Sequence, residues 1–189
     1  MNETSGRAVT LRLAAGNSKY RRCTSSCLFG IRRHETAQTL HDRLAKVGAT
    51  LLMKSLDLIA AGKAPRIKQD EAKATYEGRC GPDNAKIDWG KPWEQIDRLI
   101  RGCNPAPGAW TTLDGKQLKI FDAKPLPAKD PKGIAGKIGE IAVVEADGFT
   151  VVCADGRFKI TRVQPADGKK VEAGEWAKSV NLQIKARFA

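Results

Sequence analysis

The chain has 189 residues, a formal net charge of +12 at pH 7 and a pI of about 9.7. Its length allows one domain with additional elements, and its hydrophobic content of 41% is enough to bury a core. No window approaches the roughly 20 apolar residues of a membrane span, so no membrane partner is predicted. The five cysteines are odd in number and scattered, which argues against a disulfide framework and favours a reducing, cytoplasmic compartment. The basic charge favours an acidic partner such as nucleic acid.

Residues 1–34 carry a large share of this charge, with seven lysines and arginines against Glu3 alone. They show no sustained period of 2 or 3.6. A transit peptide has a similar composition, but the Asn2-Glu3 start and the absence of a clear amphipathic helix argue against one. We therefore expect a basic, disordered leader.

Residues 36–62 are predicted to form one long helix. Thr36 suits its N-cap, and Gly62 stands where a C′ glycine would end it. Five apolar residues at spacings of four, three, four and seven form one stripe: Leu40, Leu44, Val47, Leu51 and Leu58. A stripe of this kind needs a partner, so the helix is predicted to self-associate or to bind a separate domain. The polar, aperiodic stretch 63–81 that follows indicates a linker.

Residues 82–189 are predicted to form a small, mostly β domain. A short helix follows Pro92, with Trp93, Ile96, Leu99 and Ile100 on its buried face. Strands are expected at 117–123, 138–145, 149–154 and 157–163, and a weak helix at 174–180. The stretches 146–148 and 155–156 have hairpin-turn composition. This pattern favours a five-stranded Greek-key barrel of the OB type with short helices, preceded by the long helix and the linker.

The residues do not assemble into a recognisable catalytic centre. His34 and His41 lack the partners of a metal or nucleophile motif and are interpreted as surface residues. Cys103 follows a helix C-terminus, where the helix dipole raises a thiol pKa, so we interpret it as a small buried hydrophobe. The four tryptophans suit core packing better than base stacking. No catalytic, metal-binding or cofactor-binding residue is predicted.

The segment IRGCNPAPGAW at 100–110 is the most distinctive part of the chain, because two prolines and flanking Asn and Gly indicate a rigid corner directly after a helix. Together with IDWGKPWEQIDRL at 87–99 it resembles the start of the C-terminal domain of methionyl-tRNA formyltransferases and related folate-dependent formyltransferases. The resemblance includes TAQTLHDRLAKVGATLLMKSLDLIAAG at 36–62, QDEAKATYEG at 69–78, LDGKQLKIFDAKPL at 113–126, DGKK at 167–170 and ARF at 186–188. It covers roughly residues 35–189.

The resemblance implies a division into four parts. Residues 1–34 are a non-homologous leader, 35–62 correspond to the last helix of the family's catalytic domain, 63–81 are the linker and 82–189 are the OB-like C-terminal domain. The intact enzymes transfer a formyl group from 10-formyltetrahydrofolate to methionyl-tRNA, with an Asn, a His and an Asp on the catalytic domain. This chain contains no match to that set, so we expect it to lack transferase activity by itself.

The family's C-terminal domain contacts the tRNA backbone, which makes tRNA the expected partner. Match and charge type together give eight RNA-binding candidates: Arg98, Arg101, Lys116, Lys119, Lys169, Lys170, Lys185 and Arg187.

Two departures leave alternatives open. ATYEG at 74–78 with the later IDW and PGAW elements also resembles the hydrolase domain of 10-formyltetrahydrofolate dehydrogenase, and Ala106 replaces a residue that is usually large and aromatic in methionyl-tRNA formyltransferases. The chain could thus derive from a formyl hydrolase or from a transferase for another amine. A third interpretation is an independent OB-type RNA-binding module.

Overall fold

The computed structural model describes residues 8–14, 22–65, 67–68, 70, 72, 75–76, 78–128 and 136–189. The chain divides into two compact units, an N-terminal unit of residues 1–78 and a C-terminal unit of residues 79–189. No helix within the described residues is long and apolar enough to cross a bilayer.

The N-terminal unit combines a small antiparallel sheet with one helix. Strands β1 (Ala8–Ala14) and β2 (Arg22–Gly30) pair with each other, and β3 (Ile67–Lys68) pairs with the start of β2. These strands differ from the disordered leader and the structureless linker expected from the sequence. The signal in β1 is a short alternation of apolar and polar residues over 9–13, which suits a strand. Residues 1–7 and 15–21 of the expected leader lie outside the described residues.

Helix α1 (Ala37–Ala60) confirms the predicted long helix and both of its ends. The Thr36 backbone N–H donates to Thr39 Oγ1 over 2.9 Å, and the Thr39 N–H donates to Thr36 Oγ1 over 3.3 Å, which makes a capping box. At the other end, Gly62 adopts a φ of +67°, and the Lys63 N–H reaches the Leu58 carbonyl over 2.9 Å. This six-to-one bond is the Schellman termination that glycine at C′ permits.

The apolar stripe predicted on α1 is largely covered within its own unit, contrary to the expectation that it lacks a partner. Helix α1 packs against β1 and β2. Leu40, Leu44, Val47 and Leu51 are half-buried. Leu58, the last residue of the stripe, is exposed at 36%. A different face carries four more exposed apolar side chains, Leu52, Met53, Leu56 and Ile59, at 46–59% exposure.

A buried ion pair connects β2 to α1. Arg43 donates from Nε to Glu35 Oε1 over 2.7 Å, and from one Nη to Glu35 Oε2 over 2.6 Å and to the Gly30 carbonyl over 2.7 Å. Its guanidinium also lies 4.3 Å from the centre of the Phe29 ring. The Glu35 side chain is 5% exposed. The hydrogen bond from Arg43 is the main reason that the pKa of Glu35 lies below its ordinary value of 4.5, although burial opposes the shift.

Replacing Glu35→Gln should destabilise the N-terminal unit by roughly 1–3 kcal/mol at neutral pH, because it removes a charged hydrogen-bond partner. A carboxylate with a lowered folded-state pKa contributes stability that is present above 4.5 and is lost as the pH falls through the folded-state pKa. The difference between the variant and the natural chain should therefore vanish in acid. Far-ultraviolet circular dichroism during urea unfolding reports mainly on α1, the longest helix described.

Two controls accompany this measurement. Asp42→Asn changes an exposed carboxylate of the same helix and should have little effect. Tryptophan fluorescence reports only on the C-terminal unit, which holds all four tryptophans, and its transition should not move. A stability difference that persists unchanged at low pH would contradict the assigned role of the ion pair.

The C-terminal unit is built on an antiparallel sheet of six strands, with two helices beside it. The strand order is β4-β5-β8-β7-β6, and β9 pairs with β8 at the side. The bounds are α2 (Trp93–Gly102), β4 (Ala109–Leu113), β5 (Lys116–Pro127), β6 (Ile141–Glu145), β7 (Gly148–Cys153), β8 (Gly156–Pro165), β9 (Val171–Glu172) and α3 (Ala173–Ser179).

The mostly β class is confirmed, while the number and ends of the strands differ from the prediction. Strand β5 runs to Pro127, β6 begins only at Ile141, and β4 and β9 were not predicted. Strand β4 joins β5 through Asp114 and Gly115, both at positive φ, which is the two-residue turn that favours a tight hairpin. In the sequence, the Asp-Gly pair at 114–115 indicates a hairpin and so could have predicted β4. Strand β9 has only two residues and forms because it pairs with β8.

Residues 185–189 form hydrogen bonds to both edges of this sheet. On one side, the Phe188 N–H donates to the Gly139 carbonyl and the Ile141 N–H donates to the Ala186 carbonyl, each over 2.9 Å. On the other side, the Ala189 N–H donates to the Thr112 carbonyl over 3.0 Å. Both edges of the main sheet, β6 and β4, therefore have hydrogen-bonding partners in the same short segment.

An aromatic cluster fills the core beneath this segment. The Phe188 ring lies 6.0 Å from Trp89 and 5.8 Å from Phe149, measured between ring centres. Trp89 also contacts Phe158 edge-on, and its Nε1 donates to Thr111 Oγ1 over 3.1 Å. Trp89 is only 3% exposed, so its large apolar surface and its single polar atom are both accommodated.

Trp89→Ala should destabilise the C-terminal unit by about 3–5 kcal/mol, because it opens a cavity among these rings. The matched control is Trp93→Ala on α2, whose side chain is half-buried and should cost roughly 1–2 kcal/mol. Urea unfolding followed by the remaining tryptophans would compare the two. Equal losses would show that the aromatic cluster is not the centre of this core.

Candidate nucleic-acid interface

Strand pairing brings part of the predicted basic set to one end of the sheet. Antiparallel pairing places Leu118 opposite Pro165 and Lys119 opposite Gln164. The loop that follows β8 therefore begins beside the start of β5. This loop carries Lys169 and Lys170, and the first residues of β5 include Lys116 and Lys119. The four lysines come from distant parts of the sequence, and the register places them on neighbouring elements at the same end.

Phe121 is the contact that joins two of these lysines. The Lys170 Nζ lies 3.7 Å from the centre of the Phe121 ring, which is a close cation–π contact. A Cβ atom at position 108 would lie 3.1 Å from Lys119 Cδ and 3.2 Å from Phe121 Cζ. Lys119 and the aromatic ring thus meet over the same glycine, whose φ is +84°. We call Lys116, Lys119, Lys169, Lys170 and Phe121 the basic platform.

The proline corner positions the platform from the other side. The Gly108 N–H donates to the Cys103 carbonyl over 2.8 Å and closes the loop after α2. The bonds Asn104–Pro105 and Ala106–Pro107 are both cis. The Asn104 Nδ2 donates to the Phe121 carbonyl over 3.0 Å. Phe121 is 5% exposed, so the ring acts as a buried support for the Lys170 ammonium group.

The lysines of the basic platform form no ion pair with any described residue. Four carboxylates lie in the same stretches of chain: Asp114 and Asp167 on the adjoining turns, Asp122 directly after Phe121 and Glu172 two residues after Lys170. None of them is within ion-pair distance of the platform lysines. Such a surface can attract phosphate groups without first breaking a salt bridge.

The two arginine candidates are paired within their own helix instead. Arg98 binds Glu94 over 2.7 Å, and Arg101 binds Asp97 over 2.8 Å, each one turn apart on α2. The Arg101 pair is the more enclosed, with side-chain exposures of 23% and 17%. The acid precedes the arginine in both pairs, which is the favourable orientation on a helix. Phosphate would have to compete with these carboxylates.

The last two candidates lie elsewhere on the sheet. Lys185 donates its backbone N–H to the Ile141 carbonyl, and Arg187 donates from Nε to the Ile138 carbonyl over 2.8 Å. Both belong to the segment beside β6. Of the eight predicted residues, Lys119 and Lys170 meet around Phe121, and the strand register places Lys116 and Lys169 at the same end of the sheet. Arg98 and Arg101 are paired with acids on α2, and Lys185 and Arg187 lie beside β6.

A neighbouring lysine is neutralised locally. Lys124 and Lys159 stand directly opposite each other on β5 and β8, a placement that repels like charges. Lys159 Nζ binds Glu145 over 2.9 Å and Asp147 over 2.7 Å. The hydrogen bond that Lys159 donates to Asp147 lowers the pKa of Asp147, and the bonds that it donates to Asp147 and Glu145 raise the pKa of Lys159. These acids remove Lys159 from the surface available to phosphate.

The residues set aside in the sequence analysis occupy unremarkable environments. His34 and His41 are exposed, and Cys103 is buried at 2% exposure. Burial is the main reason that the pKa of Cys103 rises to about 12, so its thiol stays protonated at neutral pH. In the described ranges, no three His, Cys, Asp or Glu side chains gather in a way that could hold a metal ion.

Sequence reasoning missed Phe121 and Asn104 as parts of the site. Phe121 stands two residues after Lys119 on one strand, and this spacing places both on one face of a regular strand. That signal was available. The Asn104 contact was not, because it depends on how the corner folds back onto β5.

A family model described as "Formyl transferase, C-terminal domain" matches residues 79–181, more than half of the chain. The chain belongs to this family. The match begins at the first residue of the C-terminal unit and contains the basic platform with its surroundings, from the proline corner to α3.

Several curated relatives are methionyl-tRNA formyltransferases. The one from Moorella thermoacetica is 46% identical over 136 residues, which cover 72% of this chain and 42% of that protein. The one from Halothermothrix orenii is 41% identical over 157 residues, covering 81% and 49%. The chain spans about half the length of the curated relatives it matches.

Solved structures give the same fold. HypX from Aquifex aeolicus in complex with tetrahydrofolic acid is similar at a TM-score of 0.70 and 18% identity, covering 95% of this chain and 31% of HypX. At this identity the likeness concerns the fold alone.

Proposed function

We propose that the C-terminal unit is the tRNA-binding portion of a methionyl-tRNA formyltransferase-like protein and that it binds RNA through the phosphate backbone. The observation that carries the proposal is the basic platform, where Lys119 and Lys170 meet around Phe121 and no described carboxylate neutralises them. Identities of 46% and 41% to methionyl-tRNA formyltransferases favour tRNA over the alternative substrates of a formyl hydrolase or another amine transferase.

The formyl donor, 10-formyltetrahydrofolate, is a co-substrate proposed for the intact protein. We assign none of the described residues to it. Within this chain the proposed contribution is to hold the tRNA, and this can be tested without any transfer reaction.

We further propose that the six strands form the OB-type barrel expected from the resemblance. The hydrogen bonds of residues 185–189 to Gly139 and Ile141 on one side and to Thr112 on the other support closure of the sheet. A closed sheet has no free edges, so recognition must use its outer surface and loops. The basic platform lies at such a loop, the one that follows β8.

Lysine contacts to phosphate provide affinity and salt dependence with little sequence preference. Non-specific binding of this kind has a Kd of about 10⁻⁴–10⁻⁶ M at physiological salt. Phe121 gives Lys170 a defined position, which lowers the entropy cost when the ammonium group engages a phosphate.

Lys119→Ala combined with Lys170→Ala should weaken binding of the full chain to several RNAs by a similar factor. Removing one phosphate contact should reduce the slope of log affinity against log salt by about 0.7–0.9. Fluorescence anisotropy over a series of salt concentrations gives both quantities. Arg98→Ala with Arg101→Ala should have a smaller effect, because both arginines are already paired with acids.

The matched control is Lys178→Ala, which removes an exposed lysine of α3 outside the platform. It should leave the affinity and the salt slope nearly unchanged. Phe121→Leu keeps the charge and removes the aromatic face, so it should weaken binding less than the double lysine variant. If the arginine pair proves more important than the lysine pair, RNA is held by α2 and the platform is not the binding surface.

We propose in addition that the exposed apolar face of α1 binds a protein partner, either a separate catalytic domain or a second copy of this chain. Leu52, Leu56 and Ile59 fall at positions i, i+4 and i+7 of one helix face, and each is at least 46% exposed. In this proposal the N-terminal unit binds a protein partner and the C-terminal unit, which begins at residue 79, binds RNA.

The full chain should therefore self-associate in light scattering when no partner is present, and residues 79–189 should remain monomeric and show a cooperative tryptophan transition. Leu52→Lys with Leu56→Lys should restore a monomer, because two charges would have to be buried in the interface. As a control, Lys46→Glu reverses one exposed charge of the helix without changing its apolar side chains. A full chain that is monomeric at all concentrations would contradict the second-copy interpretation.

A further inference from the structure

Two free cysteines approach each other at the start of the C-terminal unit. Cys80 Sγ and Cys103 Sγ are 3.8 Å apart. Cys80 is exposed, whereas Cys103 is buried at 2% exposure. They are separated by 23 positions in sequence, so the contact is made by the fold and not by local geometry.

The two cysteines are held differently. Cys103 ends α2, where its N–H donates to the Leu99 carbonyl over 2.9 Å and its own carbonyl accepts from the Gly108 N–H over 2.8 Å. Cys80 lies in a segment without regular secondary structure, and its backbone makes no hydrogen bond to any described residue. A disulfide requires about 2.05 Å between the sulfur atoms, so Cys80 would have to approach by less than about 2 Å.

We propose that Cys80 and Cys103 form a dithiol modification site, which a small-molecule disulfide such as glutathione disulfide converts to an intramolecular disulfide. The thiolate of Cys80 attacks one sulfur of the small disulfide, forms a mixed disulfide and releases one small thiol. Cys103 then loses its proton to solvent, and its sulfur attacks Cys80 Sγ and displaces the second small thiol. The protein dithiol loses two electrons, and the small disulfide is reduced to two thiols.

Accessibility fixes the order of these steps. Cys80 is open to solvent and reacts first, while Cys103 is reached only through the Cys80 sulfur. Burial, followed by the hydrogen bond between the Cys103 and Cys80 thiols, raises the pKa of Cys103 to about 12, so the closing step should accelerate as the pH rises.

The other described cysteine side chains have different neighbours. Cys153 is buried at 1% exposure, with its sulfur 3.9 Å from Asp155 Oδ1. Cys27 is half-buried in the N-terminal unit, with its sulfur 3.7 Å from the Leu28 carbonyl. Among the described side chains, Cys80 and Cys103 are therefore the two suited to pair with each other.

The bridge would have a defined structural effect. It would fasten the segment that leads into the short 3₁₀ turn Pro82–Ala85 to the end of α2, beside the proline corner. The disulfide would close a loop between two residues that are 23 positions apart. Such a loop restricts the unfolded chain, so the oxidised C-terminal unit should unfold at a higher temperature than the reduced one.

The test exposes the full-length chain to glutathione disulfide, stops the reaction with an alkylating agent and maps peptides without reduction. We expect a peptide pair joined through Cys80 and Cys103, reversed by dithiothreitol, with both thiols at these positions consumed. Cys103→Ala should stop at the mixed disulfide on Cys80. Cys80→Ser should leave Cys103 unmodified, and Cys27→Ser should behave like the natural chain.

The decisive comparison is the natural chain against Cys103→Ala. A mixed disulfide that persists on Cys80 in both, with Cys103 still free in the natural chain, would overturn the proposal. A linkage of Cys80 to any cysteine other than Cys103 would also overturn it. Because Cys80→Ser changes an exposed side chain, protection of Cys103 in that variant remains a valid readout even if Cys103→Ala folds poorly.

Discussion

The C-terminal unit depends on one short segment, residues 185–189, which occupies the space between the two edge strands of the main sheet. Its backbone bonds Gly139 and Ile141 on one side and Thr112 on the other. Its Phe188 ring completes the aromatic cluster with Trp89 and Phe149. Edge strands with free N–H and carbonyl groups invite pairing with other chains. The segment gives partners to Thr112 on β4 and Ile141 on β6, and its Phe188 side chain is buried in the core.

The position of the basic platform follows from the strand register. The pairing of β5 with β8 brings Lys119 beside the loop that carries Lys170, and the proline corner adds Asn104 beneath Phe121. Ion pairing then decides which basic side chains are available to bind phosphate. Arg98, Arg101 and Lys159 are matched by acids, whereas the platform lysines have no such partner among the described residues.

In the N-terminal unit, helix α1 has one face that packs against the sheet and another that is exposed. The face with Leu44 and Val47 packs towards β1 and β2, where the Arg43–Glu35 pair secures the end of β2. A different face leaves Leu52, Leu56 and Ile59 in contact with water. Exposed apolar surface of this extent is unfavourable unless it is covered. The basic charge of the chain and this apolar face therefore point to two different kinds of partner.

The sequence by itself determined the features that depend on local chemistry. Thr36 and Gly62 defined both ends of α1, turn residues located the β6–β7 and β7–β8 hairpins, and the motifs from the proline corner onwards identified the family. Only the tertiary structure decided which face of α1 is covered, whether the leader contains strands, that β9 exists, and that Lys119 and Lys170 meet around Phe121. Periodicity and capping act within a few residues of the chain. Other features require contacts between segments that are far apart in sequence. These features are the burial of one face of α1, the pairing of β9 with β8 and the approach of Cys80 to Cys103.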